Sequence, residues 1–309
     1  MSPLSPLRGL FTAILTPLTD AGAIDVALLA QHTRWLFQSG CDGITLFGTT
    51  GEGPSFSVAE RRAALDGLLA AGIPRERITV GTGCASIVDT IELTCHAAER
   101  GCAGALVLPP FFFKDTGDDG VVASLASIME ELGDRRIPIF LYNIPSISAV
   151  NISLAAIERL VRRFPDRVAG VKDSTADWSY TEPLLRRFGS TLSIFVGAEN
   201  HLTAALKLGG VGTICGCANI APELMRRLHD GDSALQPNVE AMLETVLSHS
   251  FVPVMKAVRA RQTGDKRWLK VRPPLVQLEF ALADSLYSTL ATRIEPGAAP
   301  RAGVRAAGE

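Results

Sequence analysis

An excess of either charge is missing from this sequence. Lys and Arg total 30 against 32 Asp and Glu, for a formal net charge of −2. No basic field is available to gather nucleic acid, and no Lys/Arg block marks an anionic membrane surface. A small anionic substrate is still allowed, because a local site can be positive inside a neutral protein. No run of 18 residues is free of charges and turn residues, so no membrane span is expected. The opening "MSPLSPLRGLF" lacks a basic stretch followed by an apolar one, so no export signal is expected and a cytoplasmic location follows.

Metal-ligand spacing is missing as well. The six cysteines (Cys41, Cys84, Cys95, Cys102, Cys215, Cys217) form no CxxC pair and read as reduced core thiols. Cys215 and Cys217 would share one face of a strand, but the partner ligands of a metal site are absent. The five histidines are scattered without HExxH, and His32 and His96 fall in helical patterns as surface or satisfied structural residues. Nor does a glycine fingerprint follow the first strand, since "AILTPLTDAG" is not GxGxxG.

What is there is alternation. Short apolar runs at 10–16, 43–48, 78–83, 104–109, 138–143, 168–172, 192–197 and 212–217 predict strands. Helical periods lie between them near 25–39, 57–71, 86–100, 118–132, 153–163, 177–188 and 200–208. The strands are apolar on both faces, as in a sheet covered on both sides. Eight βα units over roughly 220 residues predict a closed (β/α)₈ TIM barrel, with a doubly wound sheet as the alternative. After 218 only helices are expected, at 221–229, 236–262 and 275–293. The predicted organisation is therefore a barrel over 1–218, a helical extension over 219–293 packed on it, and a flexible tail over 294–309.

Barrel active sites lie at the C-terminal ends of the strands. Those ends read "GTTGEG", "PPFFFK", "YNIPS", "KDST" and "GAEN". Lysine is scarce, at six against 24 arginines, yet Lys172 closes the apolar run "RVAGVK". Desolvation disfavours the charged form of a lysine, and a neutral amine is a nucleophile that forms Schiff bases with ketones. The other reading of Lys172 is a structural ion pair with Asp173 or another carboxylate. Lys207, Lys256, Lys266 and Lys270 fall in or near polar helical stretches, and Lys114 in a loop. "GTTGEG" can offer free backbone N–H groups to a carboxylate or phosphate, or it can be a tight βα turn with a Thr cap. Tyr142, one of three tyrosines, ends the fifth strand and can relay protons or be a hydrogen-bonded core aromatic.

Taken together, these segments resemble the pyruvate-dependent class I aldolases, the superfamily of dihydrodipicolinate synthase and N-acetylneuraminate lyase. The resemblance runs through "GLFTAILTPLT", "GTTGEG", "LPPFFF", "LYNIPS", "GVKDST", "FVGAEN" and "GGVGTICGCANIAPE", across about residues 8–290. It implies a lysine Schiff base with pyruvate or a related 2-oxo acid, an aldehyde partner, neither metal nor cofactor, and a homotetramer built from two tight dimers. By that resemblance Lys172 forms the imine, Tyr142 handles protons, and Thr49 joins the hydroxyl relay. Thr50, with its own N–H and that of Gly51, holds the pyruvate carboxylate. Ile214 packs beside the bound pyruvate, and Gly197 lies near the outer part of the substrate.

Two positions depart from the pattern. Dihydrodipicolinate synthases place an arginine after "YNxPS" to grip the second substrate's carboxylate, and here that position is Ile147. An isoleucine makes no charge-assisted bond. Related proteins also place a relay tyrosine in the "PPFFFK" stretch, where Phe112 aligns and cannot pass a proton. Phe111, Phe112, Phe113 and Ile147 suit either a hydrophobic outer substrate portion or a subunit interface. The implied activity is a Schiff-base lyase or aldolase acting on pyruvate or a related 2-oxo acid, for example of 2-keto-3-deoxy sugar acid aldolase or dehydratase type. The alternatives are 4-hydroxy-tetrahydrodipicolinate synthase in lysine biosynthesis and a non-catalytic member that binds 2-oxo acids.

Overall fold

Each short apolar run pairs with the next one along the chain. In the computed structural model, which describes residues 7–294, these runs form β1 (Gly9–Ala13), β2 (Gly43–Leu46), β3 (Ile78–Gly81) and β4 (Gly104–Val107). They continue as β5 (Ile139–Asn143), β6 (Val168–Asp173), β7 (Ser193–Val196) and β8 (Gly212–Cys215). All neighbours are parallel, and β8 returns to β1 with Gly9 opposite Gly212, which closes the barrel. The structure is a (β/α)₈ barrel carrying C-terminal helices.

Alternate strand residues point inward. Phe11, Phe140, Phe195, Leu106, Tyr142 and Ile214 fill the interior as one cluster. Phe140 explains two glycines beside it. A Cβ on Gly104 or Gly170 would come within 2.7 or 2.8 Å of its ring, so only a residue without a side chain fits there. The opposite faces of the strands meet the surrounding helices in one continuous apolar layer.

Those helices are α1 (Val26–Gln38), α2 (Val58–Ala70), α3 (Ile87–Glu99), α4 (Gly117–Glu131), the short α5 (Pro145–Ser148), α6 (Leu154–Arg163), α7 (Trp178–Phe188) and α8 (Leu202–Lys207). Side-chain caps start several of them. Ser57 and Glu60 form a reciprocal capping box on α2, and Ser86, Ser153 and Asp177 cap α3, α6 and α7. Beyond β8 come α9 (Pro222–His229), α10 (Gln236–Leu247), α11 (Phe251–Thr263) and α12 (Phe280–Ile294).

Several boundaries differ from the sequence reading. Most strands are shorter, because the chain leaves the sheet at residues that build the mouth, whereas β6 runs one residue past Lys172. Cys215 ends β8 while Cys217 sits in the following 3-10 turn, so they do not share a strand face. The expected helix over 236–262 is two helices, parted at Ser248–Ser250, where Ser250 takes an extended backbone. The last helix starts at Phe280, after the segment holding Pro273 and Pro274. Apart from Ile294, the predicted tail over 294–309 lies outside the described residues. Among the described residues, no helix is long and apolar enough to cross a membrane.

Candidate active site

The C-terminal ends of the strands bring the chemistry together. Lys172 on β6 lies beside Tyr142 on β5, directly opposite it in the strand register. Successive strand residues face opposite ways, so Lys172 and Asp173 diverge. Asp173 is buried on the helix side, where it accepts from Thr181 Oγ1 at 2.5 Å and from the Thr175 N–H at 2.9 Å. The ion-pair reading of Lys172 therefore finds no support from its neighbour. Among the described residues no carboxylate pairs with Lys172, although it is only 4% exposed.

The Lys172 amine stands over the face of the Tyr142 ring, 4.3 Å from its centre. Such a contact stabilises a cation without a carboxylate. The other end of Tyr142 is engaged as well, its hydroxyl lying 3.1 Å from Thr49 Oγ1. Gly197 at the end of β7 leaves room for the lysine. A Cβ there would meet Lys172 Cε at 2.9 Å and Ser174 Oγ at 2.0 Å. Ile214 joins Tyr142 in the interior cluster. Thr50 is buried against the end of β8, and a Cβ on Gly216 would meet its hydroxyl at 3.3 Å.

The turn "GTTGEG" is tightly wound. Gly51 and Gly53 donate to the carbonyl of Gly48 at 3.1 and 3.2 Å, and Glu52 donates to that of Thr49 at 3.1 Å. The Gly51 N–H is thus already used within the turn, contrary to its expected freedom. Among the described residues the Thr49 and Thr50 N–H groups have no acceptor, which leaves both as available donors. A cleft lined by Thr49, Gly81, Gly83, Leu106, Leu108 and Tyr142 opens beside this turn.

A larger cavity, of about 480 Å³, lies at the opposite end of the barrel, among Arg8, Gly9, Asp42, Val211, Arg226 and His229. It is set aside as the site because it meets the starts of β1 and β8, where barrel residues serve stability. Its Arg226 is neutralised by Asp42 at 2.9 Å and by Asp230.

Phe112 and Ile147 do not join the buried group. They are 71% and 55% exposed on the rim, with Phe112 packed edge-on against Phe113 at 5.3 Å. Lys114 donates to the carbonyls of Phe111 and Ser148, which ties the two rim loops together.

Sequence reasoning missed three groups around the mouth. Lys256, read as part of a polar helix, is fully buried and paired with Glu52 of the turn. Burial pushes its pKa down, and Glu52 opposes that shift. Its apolar flanks in "PVMKAV" are the same signal that marked Lys172. Glu199 is buried and accepts the N–H of Cys217 at 3.1 Å; burial and this carboxylate push the Cys217 thiol well up, so it is inert. Asn219 accepts from the Leu15 N–H at 2.9 Å, lies 3.0 Å from His32 Nε2, and donates to the carbonyl of Ala13 at 2.8 Å. His32 is thus a buried structural residue, bonded through Nε2 while its Nδ1 has no hydrogen-bond partner among the described residues. Among the described residues, no three His, Cys, Asp or Glu side chains gather to hold a metal ion.

A parallel eight-stranded barrel with a buried lysine at a strand end, beside a tyrosine–threonine pair, defines the class as a (β/α)₈ lyase. The chain belongs to the dihydrodipicolinate synthetase family, whose model matches residues 6–292. An uncharacterized DapA-like lyase of Chloroflexus aurantiacus is 34% identical over 279 residues, covering 88% of this chain and 92% of its own. A 4-hydroxy-tetrahydrodipicolinate synthase of Rhizobium meliloti is 30% identical over 251 residues, covering 81% of this chain and 82% of its own. The crystal structure of dihydrodipicolinate synthase from Agrobacterium tumefaciens is 35% identical and superposes with a TM-score of 0.90, over 94% of this chain and 100% of that one.

Proposed function

We propose that Lys172 forms an imine with pyruvate or a related 2-oxo acid, and that the protein makes or breaks a carbon–carbon bond at the adjacent carbon. The observation that carries this reading is the buried Lys172 amine, unpaired with any described carboxylate and set against the Tyr142–Thr49 pair. The neutral amine adds to the keto carbon, and water leaves. The protonated imine then draws an electron pair from the adjacent carbon, giving an enamine. That carbon attacks an aldehyde, or is the one released when the bond breaks.

Each residue has a task in this scheme. The Tyr142 hydroxyl carries protons to and from the departing oxygen and the reacting carbon, with Thr49 as the next hydroxyl in the relay. The Thr50 hydroxyl and N–H hold the carboxylate, and Gly51 shapes the turn that presents them. Ile214 packs against the three-carbon unit. Gly197 admits the lysine and faces the outer part of the substrate. Phe112 and Ile147 form an apolar rim, which suits a second substrate with a less charged end, as in 2-keto-3-deoxy sugar acid aldolases or dehydratases.

A second reading, 4-hydroxy-tetrahydrodipicolinate synthase, is favoured by the names of the relatives. Ile147 weighs against it, since no guanidinium stands at the position that grips the second carboxylate. The barrel with its extension is proposed to act in the cytoplasm as a homotetramer of two dimers, by resemblance to the family.

The test is chemical trapping. The protein is incubated with pyruvate, reduced with borohydride, digested and weighed. One adduct on the peptide holding Lys172, absent in Lys172→Ala, is the expected result. No adduct with pyruvate or with larger 2-oxo acids would falsify the reading.

A further inference from the structure

Glu52 closes the turn that presents Thr49 and Thr50, and it is held from behind by the C-terminal helices. Its backbone is left-handed, with φ at 56°. Its side chain is fully buried and paired with the equally buried ammonium of Lys256 on α11. The same carboxylate accepts the backbone N–H of Arg272 at 3.0 Å. Lys256 also donates to the carbonyl of Lys270 at 2.6 Å. The Arg272 side chain donates to the carbonyls of Ser55 at 3.0 Å and Gly22 at 2.8 Å, and it pairs with Glu60. On the other flank the Gly51 carbonyl accepts from Thr16 Oγ1 at 2.7 Å.

α11 also reaches Gly216, which borders Thr50 of the turn. The position a Cβ on Gly216 would take is 3.3 Å from both Thr50 Oγ1 and Met255 Cε. Met255 and Thr50 thus border the same residue at the end of β8, while the next helix residue, Lys256, meets Glu52 directly. A buried ion pair is poor evidence for stability, because desolvation offsets most of its attraction. Its best-attested use is to fix a geometry. Here the geometry at stake is the direction of the Thr50 N–H and hydroxyl.

We propose that Glu52 and Lys256 are positioning residues for the carboxylate site at Thr49–Thr50, so that the helical extension sets substrate affinity. This rests on the imine reading above. Misplacing a binding group by about 1 Å costs up to about a hundredfold in rate or affinity, so the effect is measurable. A competing account is that the pair acts through charge alone. Charge alone predicts opposite effects: Glu52→Gln leaves a cation that attracts pyruvate, while Lys256→Met leaves an anion that repels it. Positioning predicts the same effect from both.

The experiment uses the full chain with Glu52→Gln and Lys256→Met. Borohydride-trapped imine on Lys172 is measured against pyruvate concentration. The expected result is a half-saturating concentration raised about tenfold or more in both, with a limiting trapping rate near wild type. A lowered concentration in Glu52→Gln overturns the proposal. So does a lowered melting temperature with the concentration unmoved, the mark of a merely structural pair. Glu52→Gln keeps the side-chain shape and decides alone if Lys256→Met does not fold. Absence of trapping in the wild type would instead sink the imine reading. Positioning is then read from amide exchange at Thr49 to Gly51 in the free protein: faster exchange in the variants supports it, and unchanged exchange removes it.

Discussion

Lys172 and Lys256 look alike in the sequence and differ in what their amines meet. Both follow apolar residues, and both are buried. Lys256 meets the Glu52 carboxylate, which holds it charged in one place. Lys172 meets the face of Tyr142, and among the described residues no carboxylate pairs with it. At this scale the sharpest prediction concerns the hydroxyl of Tyr142. Tyr142→Phe keeps the ring under the amine and removes the atom 3.1 Å from Thr49. Turnover should fall by about 10²–10⁴, the usual contribution of a positioned proton carrier. Borohydride trapping at saturating pyruvate should still mark Lys172, more slowly. A Phe variant with wild-type turnover would remove Tyr142 from the relay.

Among the elements, α1 is tied to the end of β8 by a single buried histidine. His32 on α1 lies 3.0 Å from Asn219 Oδ1, stacks on Trp35 and meets Trp268 edge-on. Burial, with the nearby Arg259 guanidinium, pushes its pKa down to about 3, against the smaller opposing effect of Asn219. Below pH 6.5 the unfolded chain therefore binds a proton that the folded chain refuses until about pH 3. Stability should fall with pH across that window, by up to about 1.4 kcal/mol per unit from this group, and level off above it. His32→Gln should flatten the fall in melting temperature between pH 6.5 and 4. An unchanged slope would move the acid sensitivity to other groups. The strands themselves were legible because two-sided burial leaves continuous apolar runs. The gap at Ser248–Ser250 was not, because apolar residues continue on both sides of it and serine breaks no periodicity. Of the residues carried over by resemblance, Lys172, Tyr142, Thr49 and Gly197 lie side by side, while Phe112 and Ile147 stay on the rim. Glu52 and Lys256 escaped notice because their partnership depends on tertiary folding alone.

For the molecule as a whole, the rim is one of two exposed apolar areas among the described residues, the other being Leu247, Val276 and Phe280 of the C-terminal extension. Phe112, Phe113 and Ile147 are each more than half exposed, and Val88 at the start of α3 is 69% exposed. Large side chains left bare at one end of a barrel mark a contact surface. The protein should therefore sediment as an oligomer, and Phe112→Asp with Phe113→Asp should shift it to a smaller species. A wild-type monomer at micromolar concentration would end this expectation. The clamp behind the turn has a consequence in time. Arg272 and Glu52, which it joins, are 220 residues apart in sequence. A ribosome releases Lys172 and every strand of the barrel before it releases the residues that lock the turn. The nascent barrel thus emerges with Lys172 in place and the Thr49–Glu52 turn not yet locked. Under the proposed function, capture of a 2-oxo acid waits until α11 and the segment up to Arg272 have folded back.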